Sequence, residues 1–297
     1  MGQLMHRHPT TMLCHTMVGK LYLVALPIGN MEDITLRAIR TLRSVNGILA
    51  EDTRITKRIL QRYGIETPFF SSVFQGGERQ RAGWLVTQLR SGKHLALVSD
   101  AGTPLISDPG YFLVRAAIDG QIPVVPIPGP SAVITGLIAS GIPPDRFCFE
   151  GAAPRKSGER RLLFERLRGE SRTTVLYESP HRLIETLRDL ADVLPDRTIT
   201  LARELTKQHE EFLRGSPAEL LDVVTSRERV KGEFVLILAG SAVEVAPDQQ
   251  RIEEVIAALQ ESGASHRLIV RVLIAGFGLP RNAAYKLAHN ADRSTAG

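Results

Sequence analysis

The sequence predicts an α/β protein with two consecutive α/β domains and a small C-terminal helical module. Short apolar runs alternate with amphipathic segments through most of the 297 residues, a pattern typical of strands joined by crossover helices. The alternation pauses at 141–144, where a glycine and two prolines interrupt it, and then resumes. Beyond Gly240 the apolar residues recur only at helical spacing. These observations predict domain boundaries near 128 and 240.

The N-terminal α/β domain is predicted over residues 20–128. Its apolar runs predict strands at 21–26, 48–50, 95–98 and 124–127. The spacing between them predicts helices after a cap at Asp33, over 55–63, around Trp84 and Leu89, and over 111–119. Residues 1–19 show no such periodicity. We therefore expect a disordered extension there, with residues 1–18 dispensable for folding and activity.

The second α/β domain is predicted over residues 129–240 and repeats the alternation. It begins with a cap candidate, Ser131, for a helix that runs through Ser140. Predicted strands follow at 147–149, 173–177, 198–201, 211–213 and 234–238, and predicted helices at 157–168, 180–193 and 216–226. In the tail, over 250–290, Ser265 and Pro280 each open a helix. This tail resembles a helix-turn-helix module.

Composition narrows the class of protein. An apolar share of 43% excludes a largely disordered chain, and a net charge of +5 permits a polyanionic partner without requiring one. The uncharged stretch 121–144 is long enough to cross a bilayer, but its six prolines and three glycines favour buried strand, loop and helix. We expect no membrane span, no signal peptide and no metal site. The two distant cysteines fit a reducing, cytoplasmic setting.

The loop 99–110 is the strongest candidate for a ligand site. It follows the predicted strand 95–98, and ligands of open α/β sheets collect beyond the carboxyl ends of strands. Its glycines permit a close approach of the backbone, and its prolines restrict its shape. Neither a dinucleotide fingerprint nor a P-loop is present. A tight connection without a ligand is equally compatible with the loop alone.

Polar clusters follow four predicted strands. They contain five candidates for the group that removes a proton in catalysis: Glu51, Asp100, Glu178, Glu204 and Lys207. If both sheets are parallel at these strands, the clusters converge at one side of the protein. The simpler interpretation is that Arg54, Arg182 and Arg203 neutralise neighbouring carboxylates. Four clusters at equivalent positions favour a site.

Six segments, in order, resemble a known family: 23–30, 50–54, 98–110, 128–132, 177–182 and 202–207. They are similar to ribosomal RNA small-subunit methyltransferases of the tetrapyrrole-methylase superfamily, over about residues 20–290. The resemblance implies S-adenosyl-L-methionine as the methyl donor, transfer to the ribose 2′-hydroxyl of a cytidine in the decoding region of 16S rRNA, and a homodimer. It also implies a cofactor cleft between the two α/β domains.

The resemblance also implies which residues bind the donor. They are Pro27, Gly29, Ser99, Asp100, Ala101, Gly102, Thr103, Pro130, Ser131, Ala132, Tyr177 and Ser179. One segment departs from the family: a stretch that is commonly rich in His, Asn and Glu is Phe-Gln-Gly-Gly-Glu at 74–78 here. We expect the small ribosomal subunit or its rRNA to be held by the basic segment 155–172, which includes Arg160 and Arg161, and by the tail.

Two other classes of protein share parts of this pattern. A methyltransferase that acts on a tetrapyrrole or another small molecule would use the cleft without needing a basic tail. A non-enzymatic nucleic-acid-binding protein would use the tail without needing the cleft. Binding of S-adenosylmethionine distinguishes an enzyme from a pure nucleic-acid binder, and labelled methyl transfer to small ribosomal subunits identifies the acceptor.

Overall fold

The computed structural model describes residues 18–72, 77–241 and 249–294. The expectations for residues 1–17, and the atypical stretch at 74–76, lie outside these residues. Gly19 is already fixed, since its N–H donates to Leu89 O at 2.8 Å. Contacts between residues divide the chain into two compact units. One runs to Glu165 and includes Arg172–Ala239, and the other contains Arg166–Ser171 and the residues from Gly240 onward.

The first sheet is fully parallel, as the alternation predicts. Its elements are β1 (Leu21–Val24), α1 (Leu36–Ser44), β2 (Gly47–Ala50), α2 (Thr53–Arg62), β3 (Phe69–Ser72), α3 (Glu78–Arg90), β4 (Leu95–Leu97), α4 (Tyr111–Asp119) and β5 (Val124–Ile127). The strand order is β3-β2-β4-β1-β5. All of its strands are parallel, so β2 and β4 end at the same edge.

Two local predictions for this sheet need correction. Asp33 does not cap α1, because it lies in a short 3₁₀ turn, Met31–Asp33, and Thr35 is the N-cap. The Thr35 hydroxyl accepts a hydrogen bond from Ala38 N at 3.0 Å. The structure also adds β3 at the sheet edge, where the sequence signals only the following helix. A four-residue strand that pairs on one side has too little periodicity to be recognised.

The second sheet is mixed. Its elements are α5 (Ala132–Ala139), β6 (Phe147–Ala152), α6 (Ser157–Leu167), β7 (Thr173–Glu178), α7 (Leu183–Val193), β8 (Ile199–Arg203), β9 (Glu211–Gly215), α8 (Pro217–Thr225) and β10 (Phe234–Leu238). The strand order is β6-β7-β10-β8-β9. A parallel arrangement throughout is therefore wrong, because β10 is antiparallel to both β7 and β8. Since β10 lies between them, β7 and β8 still run in the same direction, and their polar ends share an edge.

The two α/β halves share apolar packing inside one compact unit. Ile28, from the loop after β1, belongs to the same buried cluster as Val133 of α5 and Val235 of β10. At the surface, the Thr206 hydroxyl accepts a hydrogen bond from Asn30 N at 3.1 Å. These contacts fix the loops of the first half against the edge of the second sheet.

The tail contains α9 (Gln249–Glu261), α10 (His266–Phe277) and α11 (Arg281–Ser294). The predicted cap Ser265 is present, and Gly278 ends α10 in a left-handed conformation, φ +65°. Ile252, Ile269 and Leu273 lie in the buried cluster that the three helices share. The predicted amphipathic faces thus pack on one another.

Candidate active site

A pocket of about 260 Å³ lies where the loop after β4 faces the edge of the second sheet. This volume is near the lower end of the range for small-molecule sites, about 300–1,000 Å³. Both halves of the first compact unit contribute to its lining, which consists of Ile28, Ala101, Gly102, Thr103, Ile106, Asp108, Ser131, Ala132, Tyr177, Glu178, Leu205, Glu233, Phe234 and Val235. Carboxylates and backbone groups on an apolar floor are typical of a binding site.

The loop 99–103 is held by hydrogen bonds from within the fold. The hydroxyl of buried Ser99 donates to Ala101 O at 3.0 Å, and the Thr103 hydroxyl donates to Pro130 O at 3.0 Å. Gly102 pairs with Leu26 through both its N–H and its carbonyl, at 3.0 and 2.9 Å. It has a φ of +72°, and a Cβ atom would lie 3.2 Å from Ile28 Cγ2. The backbone conformation thus requires glycine at position 102, and the same residue lines the pocket.

Six of the predicted donor-binding residues line the pocket: Ala101, Gly102, Thr103, Ser131, Ala132 and Tyr177. The other six, Pro27, Gly29, Ser99, Asp100, Pro130 and Ser179, lie beside it and are not part of the lining. Gly29 has a close neighbour, because a Cβ atom there would come within 2.5 Å of Lys207 Cγ. Ser131 is the N-cap residue of α5 but makes no side-chain cap bond, and α5 ends at Ala139, one residue earlier than predicted.

The edge of the first sheet concentrates negative charge. Asp100 Oδ1 accepts a hydrogen bond from Asp52 N at 2.8 Å, which joins the ends of β2 and β4. Burial, followed by the charges of Asp100, Asp108 and Asp52, raises the pKa of Glu51. Asp52 is different, because hydrogen bonds from Arg54 lower its pKa to about 2. The pKa values of these two adjacent carboxyl groups therefore shift in opposite directions.

Glu178, at the end of β7, is fully hydrogen-bonded. Its Oε1 accepts from Ser179 N at 2.6 Å and from Arg182 Nη2 at 2.7 Å, and its Oε2 accepts from the Thr186 hydroxyl at 2.6 Å. The side chain is inaccessible to solvent. These bonds anchor the start of α7, so Arg182 does neutralise its neighbour, as the simpler interpretation held.

Glu204 and Lys207, which follow β8, form a second cluster in which a cation balances the charge of a carboxylate. Glu204 Oε1 accepts from Lys207 Nζ and from Glu233 N, both at 2.9 Å. Burial raises the pKa of Glu204, but the hydrogen bonds from Lys207 and Glu233 N outweigh it and the net shift is downward. Burial lowers the pKa of Lys207, but Glu204 and Glu233 outweigh it and the net shift is upward. Lys207 is thus held as an ammonium ion.

Several pocket residues have no signal in the sequence. Asp108 lies within the loop that the sequence selects, but no rule distinguishes it from its neighbours. Glu233 precedes β10, and Phe234 and Val235 begin it. The strand enters the site at its amino end because it is antiparallel to β7 and β8. Polar residues that follow a predicted strand are recognisable as site candidates, whereas residues that precede a strand are not.

Arg160 does not belong to an exposed basic surface, and this expectation is wrong. Its side chain is 1% exposed and pairs with Asp189 at 2.6 Å. Its Nη1 also donates to the carbonyls of Pro154 and Arg155. Arg161 is more exposed and pairs with Asp192 at 2.7 Å. Much of the charge in this segment is thus used to join α6 to α7.

The tail carries its positive charge on two helices. Arg267, Arg271, Arg281 and Lys286 are exposed, and no Asp or Glu occurs between 265 and 289. By contrast, α9 carries Glu253, Glu254 and Glu261. The exposed positive charge of the tail is therefore concentrated on α10 and α11, and such a basic patch is the electrostatic feature typical of a surface for a polyanion.

The described residues include neither a membrane-spanning helix nor a cluster of metal-ligating side chains. No helix among them is sufficiently long and apolar to span a membrane. Within the same ranges, no group of three or more His, Cys, Asp or Glu side chains is arranged to hold a metal ion.

The fold matches that of known methyltransferases. A uroporphyrin-III-C-methyltransferase from Thermus thermophilus superposes with a TM-score of 0.53 at 21% identity, covering 74% of this chain and 94% of that one. A diphthine synthase gives a TM-score of 0.54 at 13% identity, covering 74% and 90%. Residues 20–221 match the tetrapyrrole (corrin/porphyrin) methylases. The protein thus has the tetrapyrrole methylase fold and belongs to that family.

Relatives of similar length identify the branch of the family. A ribosomal RNA small subunit methyltransferase I from Micromonospora olivasterospora is 45% identical over 90% of this chain and 86% of its own. Relatives with the same name from a Synechocystis species and from Bacillus subtilis are 44% and 41% identical, over 91% and 92% of this chain and 98% and 94% of theirs. The chain belongs to the ribosomal RNA small subunit methyltransferase I family.

Proposed function

We propose that this protein transfers the methyl group of S-adenosylmethionine to a ribose 2′-hydroxyl of a cytidine in the decoding region of 16S rRNA. The observation that carries the proposal is the identity of 41–45%, over about nine tenths of the chain, with relatives named as methyltransferases of small-subunit rRNA. The cytidine and the 2′-oxygen follow from the resemblance of the six motifs.

The pocket suits this donor. A T. thermophilus uroporphyrin-III C-methyltransferase with the same fold is described in complex with S-adenosyl homocysteine, at a TM-score of 0.52 and 19% identity. Here, the small residues Ala101, Gly102 and Ala132 leave room for a flat group, and Asp100, beside the lining, adds negative charge at the adjacent edge of the first sheet. The donor supplies an activated methyl group on a cationic sulfur, and negative charge at the pocket favours that cation.

The chain's own residues orient the reactants and take up a proton. We assign donor binding to the loop 99–103, Ser131, Ala132 and Tyr177, with Pro27, Gly29, Pro130 and Ser179 supporting these residues from outside the lining. Among the five candidates for proton removal, the hydrogen bonds of Glu178, Glu204 and Lys207 favour a positioning role. Glu51 and Asp100 keep the edge of the first sheet negative. Alignment of acceptor and donor provides much of the rate enhancement in such a transfer.

The basic part of the tail supports rRNA as the acceptor, and we propose that α10 and α11 contact its phosphates. Each phosphate neutralised by a protein cation steepens the salt dependence of binding, with a slope of about 0.7 per contact for single strands. Arg271→Ala should therefore weaken binding to small ribosomal subunits and flatten its salt dependence. Arg115→Ala on α4 removes another exposed arginine, which lies outside the tail, and serves as the control.

We also propose a cytoplasmic homodimer. Ile134 and Ile138 are one helical turn apart on the outer face of α5 and are 45% and 71% exposed, which fits a covered apolar surface. Light scattering after size exclusion should give a dimer for the wild type and a monomer for Ile134→Lys/Ile138→Lys. Leu162→Lys changes an equally exposed apolar residue on α6 and should leave the mass unchanged. A dimer that persists in the α5 variant would contradict this interface.

Donor binding is tested by calorimetric titration with S-adenosylmethionine. Ala101→Phe places a large side chain at the pocket without straining the backbone at Gly102, and we expect it to abolish measurable binding. Ala218→Phe makes the same change on the exposed start of α8, away from the lining, and should bind as the wild type does. Equal affinities for both variants would place the donor elsewhere.

The acceptor is tested with labelled donor and three substrates: unmethylated small ribosomal subunits, the naked rRNA and a tetrapyrrole. We expect label in the rRNA, at a nucleotide that resists alkaline cleavage on its 3′ side because its 2′-hydroxyl is blocked. Label only in the tetrapyrrole would favour the small-molecule alternative. Donor binding without transfer to any of the three would contradict the proposal.

A further inference from the structure

Three carboxylates line the pocket, and they differ in how they are bonded. Glu178 accepts three hydrogen bonds, one of them from a guanidinium group. Glu233 pairs with Lys207 Nζ at 3.1 Å, and its side chain is 78% exposed. Asp108 is half-buried, and among the residues that the structure describes no cation pairs with it. Asp108 is therefore the lining carboxylate that keeps its basicity.

The backbone holds Asp108 in one place. Leu105 and Ser107 adopt left-handed conformations, with φ of +77° and +64°, which cost energy for residues with a Cβ atom. Pro109 then limits the backbone of Asp108 to extended conformations. Leu105 fills the space beside Gly110, where a Cβ atom would lie 2.9 Å from Leu105 Cδ2. A loop whose backbone is restricted at several positions between 105 and 110 suits a side chain that must be preorganised.

The surroundings raise the affinity of Asp108 for a proton. Burial, and then the charge of Asp100, raises the pKa of Asp108, while a hydrogen bond from Ser99 partly opposes the shift. Glu51 adds negative charge from the end of β2, and Tyr177, Glu178 and Glu233 face it from the second sheet. Burial and the charge of Asp108 raise the pKa of Tyr177 to about 12, so the phenol stays protonated.

We propose that Asp108 accepts the proton of the acceptor hydroxyl during methyl transfer. This inference rests on the proposed function and assigns its proton acceptor to a residue outside the five that the sequence suggests. As the acceptor oxygen forms its bond to the methyl carbon, the bond from that carbon to sulfur breaks, and the hydroxyl proton moves to an Asp108 carboxylate oxygen. The products are the methyl ether, the neutral thioether and a protonated Asp108, which then loses its proton to water.

The variant Asp108→Asn keeps the size of the side chain and removes its basicity. With small ribosomal subunits as acceptor, we expect its single-turnover rate to fall by about 10²–10⁴-fold, the usual contribution of a general base. The dissociation constant for S-adenosylmethionine, measured by calorimetry, should stay within a few-fold of wild type. In the wild type the rate should decline at low pH as Asp108 becomes protonated, and this decline should be absent in the variant.

Three further proteins make the test decisive. Asp108→Glu should recover part of the rate and the acid decline, whereas Asp108→Ser should behave as Asp108→Asn does. Asp119→Asn removes an exposed carboxylate of α4 and should match the wild type. Thermal melting of each variant confirms that it is folded.

The outcomes separate this inference from the function on which it rests. If the wild type transfers methyl groups and Asp108→Asn is within about threefold of it, Asp108 is not the base. The same conclusion follows if the variant loses rate only because it no longer binds S-adenosylmethionine. If the wild type itself transfers nothing to ribosomal subunits while binding the donor, the proposed function fails and the inference falls with it.

Discussion

The two polar edges that meet at the pocket are both rich in carboxylates but differ in how the charges are balanced. On the second half, Glu178 pairs with Arg182, Glu204 with Lys207 and Glu211 with Arg227. On the first half, Glu51 and Asp108 lie among other carboxylates, and burial raises the pKa of each. The second half thus pairs its carboxylates with cations, whereas the first half gathers carboxylates of like charge, which we propose serve a ligand.

The helices of the two halves also differ in how deeply their ion pairs are buried. Arg160 and Asp189 form a buried ion pair that joins α6 to α7 in the second half. In the first half, Arg115 and Asp119 pair on the surface of α4, where both side chains are more than half exposed. Exposed pairs of this kind contribute little to stability. Four predictions test this contrast.

The largest expected effect is at Arg160. Arg160→Ala removes the buried cation that pairs with Asp189 and leaves this carboxylate only the Ser157 hydroxyl and a 3.4 Å contact with Arg161. This change should lower the free energy of unfolding by about 3–5 kcal/mol. Urea denaturation followed by circular dichroism measures the change. Arg161→Ala, which removes the more exposed neighbour, should change it by about 1 kcal/mol or less. Similar values for both variants would show that burial does not distinguish these two arginines.

A smaller loss is expected at Glu211, where Arg227 donates two hydrogen bonds of 2.8 and 2.6 Å. The hydrogen bonds from Arg227 lower the pKa of Glu211, so its contribution is present above the pKa of the unfolded state and is lost as the pH falls through the folded pKa. Because the pair is partly exposed, Glu211→Gln should lower the free energy of unfolding by about 1 kcal/mol at pH 7. At pH 3 the wild type and the variant should be nearly equal, and an unchanged difference there would contradict the assignment.

At Asp108 the change in the free energy of unfolding is expected to have the opposite sign. Its folded pKa is raised, so the ionised form is penalised in the folded state, and stability declines as the pH rises through that pKa. Asp108→Asn removes the penalty and should raise the free energy of unfolding at pH 7 by a few tenths of a kcal/mol, up to about 1 kcal/mol after allowance for solvent screening. A loss of stability in urea would mean that Asp108 is structural, as Glu211 is.

The smallest perturbation is a titration without any substitution. Carbon-detected NMR should give a pKa of about 2 for Asp52, because of its hydrogen bonds from Arg54, and a pKa above the ordinary value for the adjacent Glu51. Arg54→Gln should return the pKa of Asp52 toward the ordinary value of about 3.9. Equal shifts at both residues would remove the distinction between a paired and an unpaired carboxylate at this edge.

The sequence by itself determined the α/β class, the alternation of elements and the loop at the site. Each of these depends on local properties: the apolar run at 95–98, the glycine-bearing loop that follows it, and the cap at Ser265 are all recognisable within a few residues. Order along the chain also carried the family resemblance, since six separate motifs occur in one arrangement. Function followed from that resemblance rather than from any single residue.

Only the tertiary structure decided which charges are available for chemistry. Arg160 and Arg161 are adjacent and chemically identical in the sequence, yet one is buried against Asp189 and the other is partly exposed. Glu178 and Asp108 are both carboxylates that line the pocket, but Arg182 neutralises only the first. The antiparallel direction of β10 brought Glu233 and Phe234 to the pocket. Ion pairing, burial and strand direction depend on residues far apart in the chain, so no local pattern could have predicted them.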